Sequence, residues 1–223
     1  MATVGGLVLG PESRTWYRAI QTRFLSTSLS TRHSSTIFSR FSGASLESPG
    51  YEILYLAENP MVALLEVQAL MGSPTTPGGV VPHPHSTWTT LNVTVRLQAV
   101  ADLTGTANQD LLGTTAQELT GDWLGYRLRS PHTPVQEPTG LAPTQELGAA
   151  LYRVPGLEAF RSLSARAPYH EVLVLFPEKL SAGSRVSWLN PLTDTVDTIP
   201  RPPHETGCRP VPVPGVSLFS PRG

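Results

Sequence analysis

The sequence predicts an α+β fold: a single compact domain built from short strands with a few helices. Three observations support this. Short runs with strand-like alternation or burial outnumber runs with helical spacing. Strands and helices do not follow one another in the regular βαβ order of a doubly wound sheet. Pro-rich excursions near 73–86 and 129–143 separate the patterned segments. The expected division is an N-terminal extension over 1–15, a domain over 16–190 and a Pro-rich C-terminal tail over 191–223.

In chain order, Tyr17 to Gly72 is the first coherent segment. Gln21 to Ser48, crowded with Ser, Thr and Arg, reads as a long loop with short strands. Glu52 to Ala57 reads as a short, largely buried strand. Asn59 and Pro60 follow as helix N-cap and first helical residue, one a side-chain acceptor for free amides and the other a pre-set φ. Pro60 to Met71 then has helical spacing, with Met61, Leu64, Leu65, Gln68 and Met71 on one face and Gly72 and Pro74 as the stop. Thr89 to Leu97 alternates, Leu91, Val93, Val95 and Leu97 pointing one way, and predicts a half-buried strand.

A helix is expected from Thr115 to Leu119, extending toward Trp123, and another from Gln145 to Tyr152 with Thr144 as its cap and Pro155-Gly156 as its end. Ala159 to Ser164, Glu171 to Phe176 and Arg185 to Leu189 read as strands. From Asn190 prolines recur and apolar periodicity stops, so the tail is expected to be extended or disordered, with packing onto the domain as the alternative.

Composition narrows the class. A chain of 223 residues and 24.0 kDa fits one domain with extensions, and 39% hydrophobic residues can build a core. A formal net charge of -1 argues against a broad nucleic-acid footprint. The single cysteine, Cys208, excludes an internal disulfide and a cysteine zinc cluster. No apolar run approaches a membrane span, and Val4 to Leu9 lacks the basic region of a signal peptide, so a cytoplasmic location is the expectation. Lys179 is the only lysine; the other basic residues are arginines, whose planar fork suits diphosphate or carboxylate ligands. His83-Pro84-His85 has no second ligand cluster at metal-site spacing, and no metal is expected. The Gly5-Gly6 and Gly78-Gly79 pairs lack the strand and helix that flank a phosphate loop. Asp122-Trp123 reads best as helix-end packing.

The informative stretch combines a cation on a loop (Ser39-Arg40-Phe41-Ser42), an aromatic hydroxyl on a strand (Tyr55) and an acid on the following helix (Glu66). Each has an ordinary reading alone. Glu66 lies outside the main apolar stripe and would be solvated. Tyr55 would be a core tyrosine, Arg18 and Arg40 surface arginines, and Ser164 a strand-end serine.

Together, Tyr17-Arg18, Ser39-Arg40-Phe41, Leu54-Tyr55-Leu56-Ala57 and Leu64-Leu65-Glu66-Val67 resemble the core of the RES-domain toxin family, in family order. Ser164 in Ser162-Leu163-Ser164-Ala165 best matches the family's later serine, with Ser162 the near competitor. The resemblance spans most of Tyr17 to Pro177. Ser39 stands where the family usually has glycine and Ser42 where it usually has asparagine, and extra residues separate Arg40 from Tyr55. Arg23 and Arg32 are the alternatives for part of Arg40's work.

The resemblance implies a fold like that of ADP-ribosylating toxins and an enzyme that degrades NAD. NAD is then a substrate rather than a cofactor, and inorganic phosphate is favoured over water as co-substrate. Glu66 would stabilise positive charge on the ribose, Arg18 and Arg40 would hold the diphosphate, Tyr55 would offer its ring to nicotinamide or its hydroxyl to ribose, and Ser164 would orient the ring. A cognate antitoxin with a helix-turn-helix DNA-binding domain is implied as partner, in a homodimer or a toxin–antitoxin hetero-oligomer. The alternatives are ADP-ribose transfer to a protein or nucleic acid, and a disabled NAD-binding or interaction module.

Overall fold

The computed structural model describes residues 6–72, 80–82, 87–128 and 140–200. The His83-Pro84-His85 and Gly78-Gly79 loops, residues 129–139 of the second Pro-rich excursion, and the tail from 201 with Cys208 lie outside the described residues.

Nine strands and five α-helices are described. In order they are β1 (Leu9–Gln21), β2 (Leu54–Ala57), α1 (Pro60–Glu66), β3 (Leu70–Gly72), β4 (Val80–Pro82) and β5 (Trp88–Asp102). Then come α2 (Thr106–Leu112), α3 (Ala116–Thr120), α4 (Trp123–Leu128), α5 (Pro143–Tyr152), β6 (Ala159–Leu163), β7 (Glu171–Leu175), β8 (Arg185–Asn190) and β9 (Thr195–Ile199). The α+β mixture expected from the sequence is what the chain forms. Seven strands make one sheet, ordered β1-β2-β7-β6-β5-β8-β9, and β1 also pairs with β5. That extra pairing closes β1, β2, β7, β6 and β5 into a barrel-like ring, with the β8–β9 hairpin added on β5.

The alternation in β5 does what its pattern requires. Leu91, Val93, Val95 and Leu97 are at most 1% exposed and join Trp16, Leu54, Leu56 and Leu173 in one core. The other core gathers Phe41, Ala63, Leu119, Leu151, Phe160 and Phe176, so it is here that the helices cover the sheet. No helix among the described residues is long and apolar enough to cross a membrane.

Several expectations are corrected. β1 begins at Leu9, inside the stretch read as an extension, and pairs with β5 over nearly its whole length. Its outer half alternates poorly in sequence, and the partner strand supplies the order. The tail's first part is a strand too: β9 pairs with β8 and buries Ile199, so the packed alternative holds there. α1 stops at Glu66 rather than Met71. Gln68 takes φ 56, Gln68 N–H donates to Leu65 O (3.0 Å) and Ala69 N–H to Leu64 O (2.9 Å), a Schellman closure made without glycine. The buried face is Val62, Ala63 and Leu65, and Met61 is 48% exposed, so the stripe drawn through Met61 is rotated from the real one. α2 has no counterpart in the sequence reading. α5 begins two residues early, at Pro143, with Ala142 rather than Thr144 as its cap; Gln145 Oε1 accepts the Ala142 N–H (3.0 Å).

Candidate active site

β1 and β2 meet through one register pair, Tyr17 with Ala57. A cavity of about 780 Å³ lies beside that junction, lined by both strands, by the 22–40 segment, by α1 and by Ala165 and Arg166. Tyr55, Glu66, Arg18 and Arg40 all face it. Arg23 and Arg32 are absent from its lining, which leaves Arg40 as the loop's cation there.

Arg40 is held by its neighbours rather than by its own charge. Ser39 and Ser42 exchange backbone hydrogen bonds (2.8 and 3.2 Å), closing a tight turn around Arg40 and Phe41. Tyr55 Oη accepts the Phe41 N–H (3.1 Å) and shares a proton with Ser39 Oγ (2.8 Å). Tyr51 Oη donates to Phe41 O (2.5 Å), and Gln145 Nε2 donates to Ser39 O and Ser42 O (2.8 and 3.2 Å). Gly148 of α5 packs so closely that a Cβ there would stand 2.1 Å from Phe41 O. Glycine is therefore needed for space, and α5 seats the turn. The backbone around Arg40 is over-determined, yet Nη1 and Nη2 are buried without a hydrogen-bond partner, in a side chain 5% exposed. The guanidinium lies 4.7 Å from the centre of the Phe41 ring. A buried charge with nothing to bond is costly, and an anion entering the cavity relieves that cost.

Glu66 ends α1, half-buried. Its Oε1 accepts from Ser164 Oγ (2.5 Å) and from Ala165 N–H (3.0 Å), so one oxygen fixes the carboxylate and Oε2 carries neither bond. Ser164 Oγ also accepts the amides of Arg166 and Ala167 (3.2 and 3.0 Å). Fully buried, with its donor and both acceptor sites used, Ser164 braces Glu66 and is absent from the cavity lining, a geometry that does not itself offer the ring-orienting contact expected of it. Ser162 is fully buried two residues earlier, its hydroxyl without a partner.

Tyr55's hydroxyl is likewise engaged by the Arg40 turn, so its ring, not its oxygen, is what the cavity can use. Burial first of all pushes its phenol above the ordinary value, against the Ser39 and Phe41 hydrogen bonds and the charge of Arg40, which lower it; the charge of Glu66 acts in the same sense as burial. The phenol thus stays neutral and feels both charges across the site. Arg18 donates from Nη1 to Ser28 O (2.8 Å). Burial pulls its pKa down to about 10, with Asp197 acting in the opposite sense, so it remains a cation at neutral pH.

Among the other lining residues, Trp123 and Arg166 stand out. Trp123 forms part of the wall and stands edge-on to Phe38, ring centres 6.0 Å apart. The Asp122-Trp123 pair signalled it, although packing was the role assigned; Asp122 Oδ1 does cap the turn through Gly125 N–H (2.9 Å). Arg166 lines the Glu66 side and is exposed, with nothing in its sequence context to mark it. No group of His, Cys, Asp and Glu that could hold a metal occurs among the described residues.

Comparison with known proteins adds a family and a fold. The RES domain family model matches residues 15–195. The crystal structure of the M. tuberculosis MbcT–MbcA toxin–antitoxin complex contains a chain that superposes with a TM-score of 0.53 at 17% identity, covering 83% of this chain and 88% of that one. No curated protein matches in sequence.

Proposed function

The chain belongs to the RES domain family, and from that premise we propose that it is the toxin of a toxin–antitoxin pair, an enzyme that destroys NAD by cleaving the nicotinamide–ribose bond. The observation that carries the reading is the pairing, across one cavity, of a buried guanidinium lacking partners with a carboxylate pinned by one oxygen.

In the proposed reaction the C–N bond breaks with its electron pair going to nicotinamide, which leaves neutral, and positive charge develops on the ribose. Glu66, held by Ser164 and Ala165, stabilises that charge without having to reorganise. Arg40 and Arg18 take the diphosphate, whose oxygens supply the acceptors Arg40 lacks. The Tyr55 ring, fixed through its hydroxyl, provides an apolar wall. A phosphate oxygen then bonds to the vacated ribose carbon; phosphate is favoured over water by family resemblance alone. The same resemblance brings the proposed kinship with ADP-ribosyltransferase folds, a cytoplasmic setting and an antitoxin carrying a helix-turn-helix domain. The MbcT–MbcA likeness supports the antitoxin partner.

The test is incubation of antitoxin-free protein with NAD labelled in the adenylate, with and without phosphate, and chromatography of the products. Phosphate-dependent nicotinamide release is the expected outcome, and Glu66→Gln, still folded, should lose roughly 100-fold or more in rate. Release without phosphate makes the enzyme a hydrolase. Label on protein or nucleic acid makes it a transferase, and NAD surviving intact makes the fold a binding or interaction module.

A further inference from the structure

The main cavity has a neighbour. A smaller one, about 240 Å³, lies against the β8–β9 hairpin, lined among others by Trp188, Asn190 and Asp197. Ser28 lines both cavities and so forms the partition between them. On the small-cavity side, Asp197 Oδ2 accepts from Ser28 Oγ (3.0 Å) and from Leu29 N–H (3.1 Å). On the main-cavity side, the carbonyl of the same Ser28 accepts from Arg18 Nη1 (2.8 Å). Ser28 and Leu29 are each 2% exposed, so the corner they form is packed as well as bonded.

Resting on the NAD reading, we infer that Asp197 is a positioning residue for the diphosphate: from β9 it fixes the Ser28–Leu29 corner, and the corner fixes Arg18 in the cavity wall. The arrangement suits its load. An arginine bonded to a carbonyl through one nitrogen keeps the rest of its fork for an anion, and its side chain is ordered before the ligand arrives, which lowers the cost of binding. Asp197 itself is well anchored, because it pairs with Trp188 and β9 ends in buried Ile199. It also lies two positions beyond residue 195, where the family model stops, so the family match does not reach it.

A purely structural Asp197 would hold the hairpin and nothing more. The two roles separate in Asp197→Asn, which keeps the shape but removes the charge that strengthens the two bonds holding the corner, so the corner loosens while the hairpin stays paired. The readouts are the guanidinium NMR signals of Arg18, assigned through Arg18→Lys in arginine-labelled protein, and calorimetric ADP-ribose affinity. The wild type should show distinct, slowly rotating Nη groups on Arg18; in Asp197→Asn they should average, and ADP-ribose should bind roughly three- to tenfold more weakly. In an Arg18→Lys background the second substitution should add no further loss, because the effect passes through Arg18. Should Asp197→Asn not fold, Ser28→Ala, which deletes only the Oγ bond, carries the same readouts. Unchanged Arg18 signals, or losses that add, overturn the inference. Arg18 signals that respond in a protein whose wild type does not bind ADP-ribose overturn the NAD reading instead and leave the hold of Asp197 on Arg18 standing.

Discussion

Glu158, fully buried just before β6, and Arg40, 5% exposed on its turn, are two charges taken out of water under opposite terms. Glu158 Oε1 accepts from the amide and hydroxyl of Ser181 (2.7 and 2.5 Å). Its Oε2 accepts from the amides of Gln98 and Ala99 (2.7 and 3.2 Å) and from Ser184 Oγ (2.9 Å). Those contacts tie β5, β6 and the approach to β8 together, and no capacity is left for a ligand. Arg40 has a turn braced by Tyr51, Tyr55 and Gln145, yet the guanidinium's terminal nitrogens bond nothing. Where the fold needs a buried charge for itself, it surrounds it with donors. Where the brace goes to the backbone and the charge is left open, the partner we propose is the ligand.

The sharpest way to widen that contrast is Glu158→Gln, which sets a carboxamide NH₂ against donors. It should lose roughly 2–4 kcal/mol of stability, read by denaturant unfolding, with activity per folded molecule unchanged. The same residue sets a pH dependence. Burial alone would raise its carboxyl, but the Ser181 and Ser184 hydroxyls and the Ser181 and Gln98 amides hold it below the ordinary 4.5. A depressed carboxyl contributes stability that is complete above the unfolded value and disappears as pH falls through the folded one. Acid unfolding of the wild type should therefore steepen below about pH 4.5, and Glu158→Gln should flatten that limb.

A smaller effect breaks the comparison from the other side. Gly148→Ala leaves every charge in place but drives a methyl into Phe41 O. It should cost about 1–3 kcal/mol and weaken ADP-ribose binding as well, because the turn that presents Arg40 must move. Equal ADP-ribose affinity in this variant would mean that the seating of the turn on α5 is irrelevant to the site.

The difference between these regions also explains what could be read from the chain. The β5 alternation and the Asn59-Pro60 start of α1 were legible because the sequence pattern and the local geometry are the same thing there: Asn59 Oδ1 accepts the Val62 N–H at 2.9 Å. Tyr55, Glu66, Arg18 and Arg40 were found through a resemblance, since periodicity alone would have left each of them ordinary. β1 and β9 were missed because their order comes from pairing with β5 and β8, distant partners in sequence. The end of α1 was missed because a left-handed Gln68 does what glycine usually signals. The bracing of Glu66 by Ser164 depends on a meeting of residues 98 positions apart that no local pattern encodes.

The measurement that bears most directly on the account is a paired reading of Arg40→Met: thermal stability and calorimetric ADP-ribose affinity on the same sample. Methionine keeps the buried bulk and removes the unpartnered charge, so the melting temperature should hold or rise while affinity falls at least about tenfold. A lower melting temperature with affinity intact would contradict the account, since Arg40 would then be serving the fold as Glu158 does.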